Sequence, residues 1–469
     1  MGKDYEKGLF IFRRDFRIHD NVSLYALAEQ CKEIYCCFFF THEQVDSSNK
    51  YKSNNAVQFM IESLVDLDEQ LKKKGSQLYC FYGNQYEILP KMIESEGIEK
   101  IMFNTDYSPY AKKRDQKLRK VCATYDIVCE SANDYYLHEP GSILVQSTGQ
   151  AYKKYTPFYK DAVQRRVTPS VGTPYATVFK QMNGEYSATI KLDDALVRFT
   201  TVNDNILVRG GRSLGLKRLR QAVNQQKDYL DTRDYFPKKT SHLSAYIKFG
   251  CVSIREVYLL FSAEYNKHHG LISELYWREF FAHVLNCYPQ VVGESYQEKY
   301  RNLDWENNKT HIKKWKEGNT GFPLVDAAMR EMNSTGYMHN RGRMTAASVL
   351  IKTLRVDWRI GEKYFATQLT DYDIASNNGN WQGISGTGVD MKPYFRDMNP
   401  FIQSEKFDKE CEYIKQWVPE LKDVLPRDIH NWNDAHGNYG KDVSTYPAPI
   451  VDYKTAKEEM IQMYKKGSK

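Results

Sequence analysis

Short apolar runs that alternate with amphipathic stretches through the first 130 residues constrain the fold more than any other feature. The runs occupy residues 9–12, 34–40, 78–82, 101–103 and 127–129. Between them, most clearly over residues 54–74, apolar side chains recur at helical spacing. This alternation predicts an α/β unit with a doubly wound parallel sheet, similar to a Rossmann domain.

The end of the first predicted strand lacks the glycines of a dinucleotide-binding loop. A GxGxxG fingerprint would follow this strand directly, but the chain continues with Arg13, Arg14, Asp15, Phe16 and Arg17. We therefore do not expect the sheet domain to hold a nucleotide through the usual phosphate loop.

The remainder of the chain divides into two regions of different character. Repeated Pro and Gly residues over 131–205 predict a long connecting segment with a few short helices. From residue 206 onward, segments at 216–230, 254–265, 271–285, 324–332 and 343–354 have helical periodicity. All seven tryptophans lie at or beyond Trp277. We expect an α/β domain over 1–130, the connecting segment over 131–205 and an all-α domain over 206–469.

Composition limits the class of protein and its partners. Hydrophobic residues make up 41% and charged residues 27%, as in soluble globular proteins, and no apolar run is long enough to span a membrane. The net charge of +7 is compatible with an acidic partner such as DNA. The nine cysteines include no CxxC pair, which favours reduced thiols. With no apolar signal segment at the start, we expect a cytoplasmic or nuclear protein.

One helical face combines Glu274, Trp277, Arg278 and Phe281 at spacings of three, four and seven residues. Such a face suits a cavity that stacks a flat ring and hydrogen-bonds the edge of that ring. The alternative is a partly buried salt bridge beside a packed tryptophan, and the spacing alone favours this alternative.

Three further stretches are rich in ligand-binding side chains. Residues 337–344 place two arginines at a predicted helix start, where they can grip phosphates or sit exposed on a helix capped by Ser334 or Thr335. Residues 371–381 contain two Asp and three Asn, which form helices poorly. They suit either a surface loop or a ligand site in which an Asp orients Arg343. Clustered hydroxyls over 239–246 predict a helix cap or a phosphate site.

In this order, these motifs resemble the photolyase/cryptochrome family along nearly the whole chain. The strongest matches are residues 12–21, 277–280, 321–329 and 446–451. The resemblance implies an N-terminal antenna domain and a C-terminal helical domain that binds FAD. It assigns a set of residues to the FAD site: Tyr229, Thr240, Ser241, Leu243, Ser244, Arg278, Asn340, Arg343, Asp371, Asp373 and Asn377. His242 stands where bacterial relatives commonly have arginine.

The resemblance also implies an electron path and a DNA site. Trp305, Trp358 and Trp381 match the tryptophans that photoreduce the flavin. The implied substrate is UV-damaged DNA with a pyrimidine dimer flipped out of the duplex. The pocket residues would be Glu274, Trp277, Asn340 and Met344, and the phosphate contacts would be Arg233, Arg341 and Gln403. Glu274 would bind the dimer either in its protonated form or as a carboxylate.

Within the family, the sequence most resembles enzymes that repair cyclobutane pyrimidine dimers (CPDs). Asn340 occupies a position where relatives that repair (6-4) photoproducts usually have a second histidine. Gly383 occupies a position where dimer-repair enzymes commonly have a second tryptophan. A blue-light receptor and a structure-specific DNA binder with vestigial flavin chemistry therefore remain alternatives. We expect a monomer with no membrane partner.

A second, light-harvesting chromophore is expected in the sheet domain, although its identity stays open. Residues 107–115 resemble relatives that bind a deazaflavin, whereas the features of folate-binding relatives are missing at Tyr110, Ala111 and Gly293. A deazaflavin-type antenna is therefore favoured over folate, and the sequence also permits a protein without an antenna.

Overall fold

The computed structural model describes residues 3–391, 393–440 and 443–467, and it begins with a five-stranded sheet. The strands are β1 (Tyr5–Phe12), β2 (Cys31–Phe40), β3 (Leu78–Tyr82), β4 (Lys100–Asn104) and β5 (Val128–Ala132). All neighbouring strands are parallel, in the order β3-β2-β1-β4-β5. The predicted doubly wound sheet is thus confirmed. Its direction of winding reverses between β1 and β4, where ligands of such sheets usually bind.

Helices cover both faces of the sheet because successive strand residues point to opposite sides. Phe10 and Phe12 of β1 enter one apolar cluster, and Leu9 and Ile11 enter another. The first cluster continues into the helical half of the chain, where Phe280 belongs to it. The helices of this first region are Val22–Gln30, His42–Val45, Asn54–Lys72, Gln85–Glu96 and Pro109–Thr124.

The connecting segment contains short helices, as its composition predicts. They are Tyr155–Ala162, Leu192–Phe199 and the 3₁₀ turn Ala176–Val178. The first of these packs against the long helix Gly270–Cys287, so part of the connecting segment borders the helical region.

The chain beyond residue 206 is helical throughout its regular parts. The α-helices are Arg212–Gln225, Tyr229–Thr232, Ser244–Lys248, Ile254–Glu264, Gly270–Cys287, Lys309–Glu317, Pro323–Thr335, Asn340–Ser348, Trp358–Gln368, Ile374–Ser385, Pro400–Phe407, Glu412–Trp417, Pro426–His430, Trp432–Ala435 and Tyr453–Gly467. A π-helical turn spans Val349–Thr353, and 3₁₀ turns span Pro289–Val291, Glu298–Tyr300, Pro419–Leu421 and His436–Asn438. Within the described residues, no helix has the length and apolar character that crossing a membrane requires.

Two local expectations were wrong. The Asn-rich stretch forms the helix Ile374–Ser385, because Asp373 caps it by accepting a hydrogen bond from the Ser376 N–H. The helix Asn340–Ser348 is capped by His339, which accepts from the Arg341 N–H, rather than by Ser334 or Thr335.

A buried network of charges joins the sheet to the helical half. Arg17 donates to Asp134 at 2.6 Å, Arg255 donates to the same carboxylate at 2.7 Å, and Arg255 also reaches Asp20 at 3.0 Å. These four side chains are at most 2% exposed. Buried charges are tolerated only when paired in this way, so the network fixes how the two halves meet.

Candidate functional site

The outer face of the helix Gly270–Cys287 carries the first predicted site residues. Glu274, Trp277 and Arg278 are partly exposed on this face, whereas Leu275 and Tyr276 are buried beneath it. The Glu274 carboxylate accepts a hydrogen bond from Arg233 Nη1 at 2.6 Å. Burial raises the pKa of Glu274, and Arg233 only partly offsets this effect. The carboxyl group can therefore take up a proton more readily than an exposed glutamate.

Trp277 is held by an aromatic partner from the connecting segment. The Tyr155 ring stacks on the indole with a centroid distance of 3.6 Å and an angle of 8° between the planes. The Tyr155 hydroxyl bonds to the Ser273 carbonyl at 2.7 Å, and its backbone N–H donates to Asp390 at 2.8 Å. One face of Trp277 is thus fixed by a residue that the sequence analysis did not identify.

The structure contains the salt bridge and packed tryptophan that the sequence analysis named as one alternative for this helical face. The face carries a partly buried salt bridge, Arg233–Glu274, beside a packed tryptophan. It also leaves Glu274 36% exposed, so the carboxylate remains accessible to a ligand.

Arg278 and Asp373 lie where the helical half meets the sheet. Arg278 Nη1 donates to the Tyr135 carbonyl at 2.7 Å, and its guanidinium lies 4.4 Å from the Tyr136 ring centroid. Asp373 pairs with Arg14, which follows β1, at 3.0 Å. Burial opposes the charge of Asp373, yet Arg14 and Arg278 outweigh burial and hold its pKa below the usual value.

Arg343 and Asp371 form a bidentate pair, which is one of the arrangements that the sequence left open. Arg343 Nη1 and Nη2 lie 3.1 and 2.9 Å from the two carboxylate oxygens. Burial opposes ionisation of Asp371, but Arg343 and a hydrogen bond from Ser244 outweigh it and lower its pKa. The pair therefore stays charged, and its orientation is fixed.

Hydroxyls and a neutral imidazole gather around Tyr337 beside this pair. Thr240 lies 3.1 Å from the Tyr337 hydroxyl, and the His242 ring centroid lies 4.8 Å from that of Tyr337. Burial, reinforced by Arg218, lowers the pKa of His242 to about 4. The His242 ring is thus uncharged at neutral pH, unlike the arginine common in relatives. No side-chain cap is present on the following helix, Ser244–Lys248.

Asn377 and Tyr229 are two further residues of the predicted FAD site. The Asn377 side-chain amide donates to the Glu362 carboxylate at 3.0 Å and to the Glu362 carbonyl at 3.1 Å. Tyr229 lies beside Arg233, whose guanidinium is 5.8 Å from the ring centroid. Leu243 is buried, and no side-chain hydrogen bond of Ser241 is resolved. Glu362 is an addition that the sequence analysis did not supply.

The three tryptophans of the predicted electron path share one apolar cluster. Trp358 and Trp381 are buried in it, and Trp305 packs against it. The closest ring neighbour of Trp381 is Phe365, at 4.9 Å between centroids, followed by Trp315 at 6.2 Å. Trp305 contacts Tyr464, at 6.1 Å. The tryptophans are thus embedded among further aromatic rings.

Gly383 faces open space. A Cβ atom built on it would meet only the Asp390 carbonyl oxygen, at 3.9 Å. Its backbone conformation is one that any residue can adopt, since its φ is not positive. A Cβ atom at this position is therefore in ordinary van der Waals contact and causes no backbone strain.

The remaining predicted residues lie near the ends of two other helices. Asn340 is exposed, with its amide nitrogen 3.8 Å from the Met344 sulfur. Arg341 donates to Gln403 at 2.8 Å and to Asp234 at 2.5 Å. Asp234 was not anticipated, because its role depends on a contact between residues far apart in the chain.

Comparison with known proteins assigns this architecture. Residues 9–175 match a family model described as DNA photolyase, and residues 271–466 match one described as the FAD binding domain of DNA photolyase. A protein of Halobacterium salinarum named deoxyribodipyrimidine photo-lyase is 32% identical over 487 aligned positions, which cover 98% of this chain and 99% of that protein. The chain belongs to the photolyase/cryptochrome family.

Solved structures of the family have the same fold. An archaeal photolyase from Sulfolobus tokodaii, described with two FAD molecules and a novel light-harvesting cofactor, matches with a TM-score of 0.86 and 38% identity. The match covers 98% of this chain and all of that one. A cryptochrome from Synechocystis matches with a TM-score of 0.89 and 26% identity, over 99% and 100% of the two chains. Proteins described as a photolyase and as a cryptochrome thus share this architecture.

The donor set fits the cofactor that the family model names. A dinucleotide with a polar ring system needs hydroxyls for its phosphates, together with fixed amides and charges for the edge of the ring. Thr240 and Ser244 supply hydroxyls, the Arg343–Asp371 pair supplies fixed charges, and Asn377 supplies an amide. All five of these side chains belong to the helical half of the chain.

Proposed function

We propose that this protein is a light-driven DNA lyase that splits cyclobutane pyrimidine dimers and uses FAD as its cofactor. One observation carries the proposal. Glu274 and Trp277, with the chemistry to hold a flipped dimer, share a helix with Arg278, which reaches the Asp373 region. Near-full-length similarity to proteins named deoxyribodipyrimidine photo-lyase supports the same reaction.

In this proposal, residues of the helical half hold the FAD. Tyr229, Thr240, Ser241, Leu243 and Ser244 would border its phosphates and ribitol. Arg278, Asn340, Arg343, Asp371, Asp373 and Asn377 would border its two ring systems. When bound and reduced, FAD supplies one electron to the dimer under blue light and recovers it after the ring has split. Asp371 fixes the orientation of the Arg343 guanidinium and offsets its charge, so the pair adds no net charge to the cofactor site.

The protein's own contribution to repair is to extract the dimer and hold it. Stacking on an aromatic ring is worth about 1–3 kcal/mol per base, which Trp277 would supply. Glu274 would hydrogen-bond the pyrimidine edge, and Asn340 and Met344 would line the same pocket. Arg233, Arg341 and Gln403 would hold backbone phosphates, which position the strand without reading its sequence.

A path of aromatic side chains would carry electrons to FAD that is bound in its oxidised form. We assign this path to Trp381, Trp358 and Trp305, supported by their common apolar cluster. Trp358 and Trp381 are buried, so these two indoles have little water to reorganise when they lose an electron.

A second chromophore is proposed at the carboxyl edge of the sheet. There Arg13 Nη2, Arg114 Nη2 and the Tyr135 hydroxyl are buried without a hydrogen-bond partner. Such atoms normally have partners, so a ligand with anionic oxygens fits the place. A deazaflavin-type chromophore is favoured over folate. The Sulfolobus protein is described with two FAD molecules, so one relative holds a second flavin besides the first. Chromophores released by heat and identified by mass spectrometry test this assignment.

The decisive experiment compares two damaged oligonucleotides under reducing, anaerobic conditions. One contains a single thymine dimer and the other a (6-4) photoproduct. We expect blue light to restore only the first. If only the second is restored, the substrate is the (6-4) photoproduct and not the cyclobutane dimer. If the protein contains no flavin after reconstitution, its function is structure-specific DNA binding.

The alternative function is that of a blue-light receptor, and Gly383 is the observation that favours it. By resemblance, Gly383 occupies the position of the second tryptophan, which would form the other wall of the dimer pocket. If neither lesion is repaired while the bound flavin is photoreduced, the receptor is favoured. Gly383→Trp is then the informative variant, because a Cβ atom at this position meets no close neighbour. If Gly383→Trp binds the dimer more tightly, residue 383 borders the dimer pocket.

A further inference from the structure

The arginines proposed to hold DNA phosphates are already paired with protein carboxylates. Asp234 accepts from Arg341 Nη2 at 2.5 Å and lies 4.0 Å from Arg233 Nε. Arg233 in turn donates to Glu274, and Arg341 donates to Gln403. The residues form a continuous polar chain from the pocket helix to the helix Pro400–Phe407.

Asp234 resembles a phosphate in its surroundings. Guanidinium groups recognise carboxylates and phosphates with the same planar donor geometry. The Arg341 guanidinium carbon lies 3.9 Å from the Phe407 ring centroid, and its Nε is buried without a hydrogen-bond partner. Asp234 therefore pairs with Nη2 of Arg341 and leaves the Nε–H without an acceptor.

We propose that Asp234 is an internal substitute for a DNA backbone phosphate, which the strand beside the lesion displaces from Arg341 and Arg233. This inference rests on the proposed function. One anion replaces another, so neither arginine is left in its partly buried position without a counter-charge. Asp234 keeps the arginines oriented in the free protein and lowers their net affinity for DNA.

The same exchange affects the pocket because Arg233 is shared. Arg233 Nη1 pairs with Glu274 in the free protein. When a phosphate attracts Arg233, Glu274 is released to hydrogen-bond the flipped dimer. Phosphate binding outside the pocket and lesion binding inside it are then linked through one side chain.

The test compares two variants with the same change in net charge. Asp234→Asn removes the phosphate substitute, and Asp231→Asn removes an exposed aspartate three residues earlier. Dissociation constants for a dimer-containing duplex and its undamaged counterpart are measured in the dark by fluorescence anisotropy at several salt concentrations. We expect Asp234→Asn to bind the dimer duplex roughly threefold to tenfold more tightly, and Asp231→Asn to change affinity by less than about twofold.

A double-mutant cycle assigns the effect to the arginine. In an Arg341→Met background, the gain from Asp234→Asn should disappear. Asp234→Ser should match Asp234→Asn, which keeps the result independent of one substitution. Weaker binding by both Asp234 variants would show that Asp234 orients the arginines in the complex and would overturn the proposal, as would equal effects at Asp231. Failure of the unmodified protein to prefer or repair the dimer duplex would instead refute the proposed function.

Discussion

At the scale of single residues, the orientation of Trp277 depends on a partner that is remote in sequence. Tyr155 stacks on the indole and ties itself to Ser273, one helical turn before Trp277. Asp390 holds the backbone of Tyr155 from the other side. The plane against which a base would stack is therefore set by three segments of the chain.

Removing the Tyr155 ring should weaken lesion binding without affecting the cofactor. We expect Tyr155→Ala to lower affinity for dimer-containing DNA about tenfold, because an unsupported indole loses the stacking geometry. Tyr155→Phe keeps the stack and should lose less than threefold. Anisotropy measures the affinity, and absorbance of the purified protein measures flavin content. Equal losses in both variants would mean that the hydroxyl bond, rather than the stack, sets the plane.

Glu274 should make lesion binding depend on pH. Its pKa is raised by burial, and Arg233 is the main group opposing that shift. Tyr155, Tyr229 and Asp234 also face it. Once a phosphate takes Arg233, the carboxyl group should bind a proton more readily, so affinity should increase as the pH is lowered from neutral toward the raised pKa of Glu274.

Glu274→Gln provides the control for this pH dependence, since glutamine has the shape of the neutral acid. We expect the variant to bind the dimer with affinity that is independent of pH over the same range. A pH profile unchanged by the substitution would assign the proton to another group.

Sequence reasoning succeeded for some residue contacts and failed for others for a physical reason. A pairing between Arg343 and one of the aspartates over 371–381 could be suggested from the sequence because both stretches are polar, but the choice of Asp371 came only from the structure. Tyr155 and Asp234 were missed because their roles come from tertiary packing. Tyr152, Tyr155, Phe158 and Tyr159 do repeat at helical spacing, and this was the available signal.

At the scale of elements, the helix Ile374–Ser385 carries much of the candidate site despite an unfavourable sequence. Its asparagines lower helix propensity, yet the Asp373 cap and tertiary contacts such as Asn377 with Glu362 outweigh this. Helix propensity describes the isolated segment, but in the folded protein the cap and the tertiary contacts decide that the segment is helical. The strands of the sheet were predictable because their apolar periodicity agrees with their final environment.

Trp381 on this helix should be required for photoreduction and not for repair. Its ring packs against Gly361 of the neighbouring helix, so a smaller aromatic ring should be tolerated. We expect Trp381→Phe to block light-driven reduction of oxidised flavin while protein reduced chemically still repairs dimers. Absorbance spectra during illumination and a repair assay measure the two activities. Loss of both would show that the substitution disturbs the site itself.

At the scale of the whole molecule, the buried charge network should make the two halves unfold together. Removing one member of a buried ion pair costs about 3–5 kcal/mol, because the partner charge remains buried. We expect Arg255→Ala to lower stability by this amount, since Asp20 and Asp134 both lose a donor.

The tryptophan distribution supplies the measurement. All tryptophans lie at or beyond Trp277, so their fluorescence reports on the helical half alone, whereas circular dichroism reports on both halves. In urea the two signals should coincide for the unmodified protein and separate for Arg255→Ala. Coincident transitions in the variant would mean that apolar contacts alone couple the halves.

The open space at Gly383 also has an evolutionary consequence. Codons for glycine and tryptophan can differ by a single base, and a Cβ atom at this position meets only the Asp390 carbonyl oxygen, at 3.9 Å. An aromatic side chain can therefore be gained or lost here in one mutational step. Under the proposed function, such a step would change how strongly damaged DNA is retained without altering any of the residues proposed to hold the cofactor.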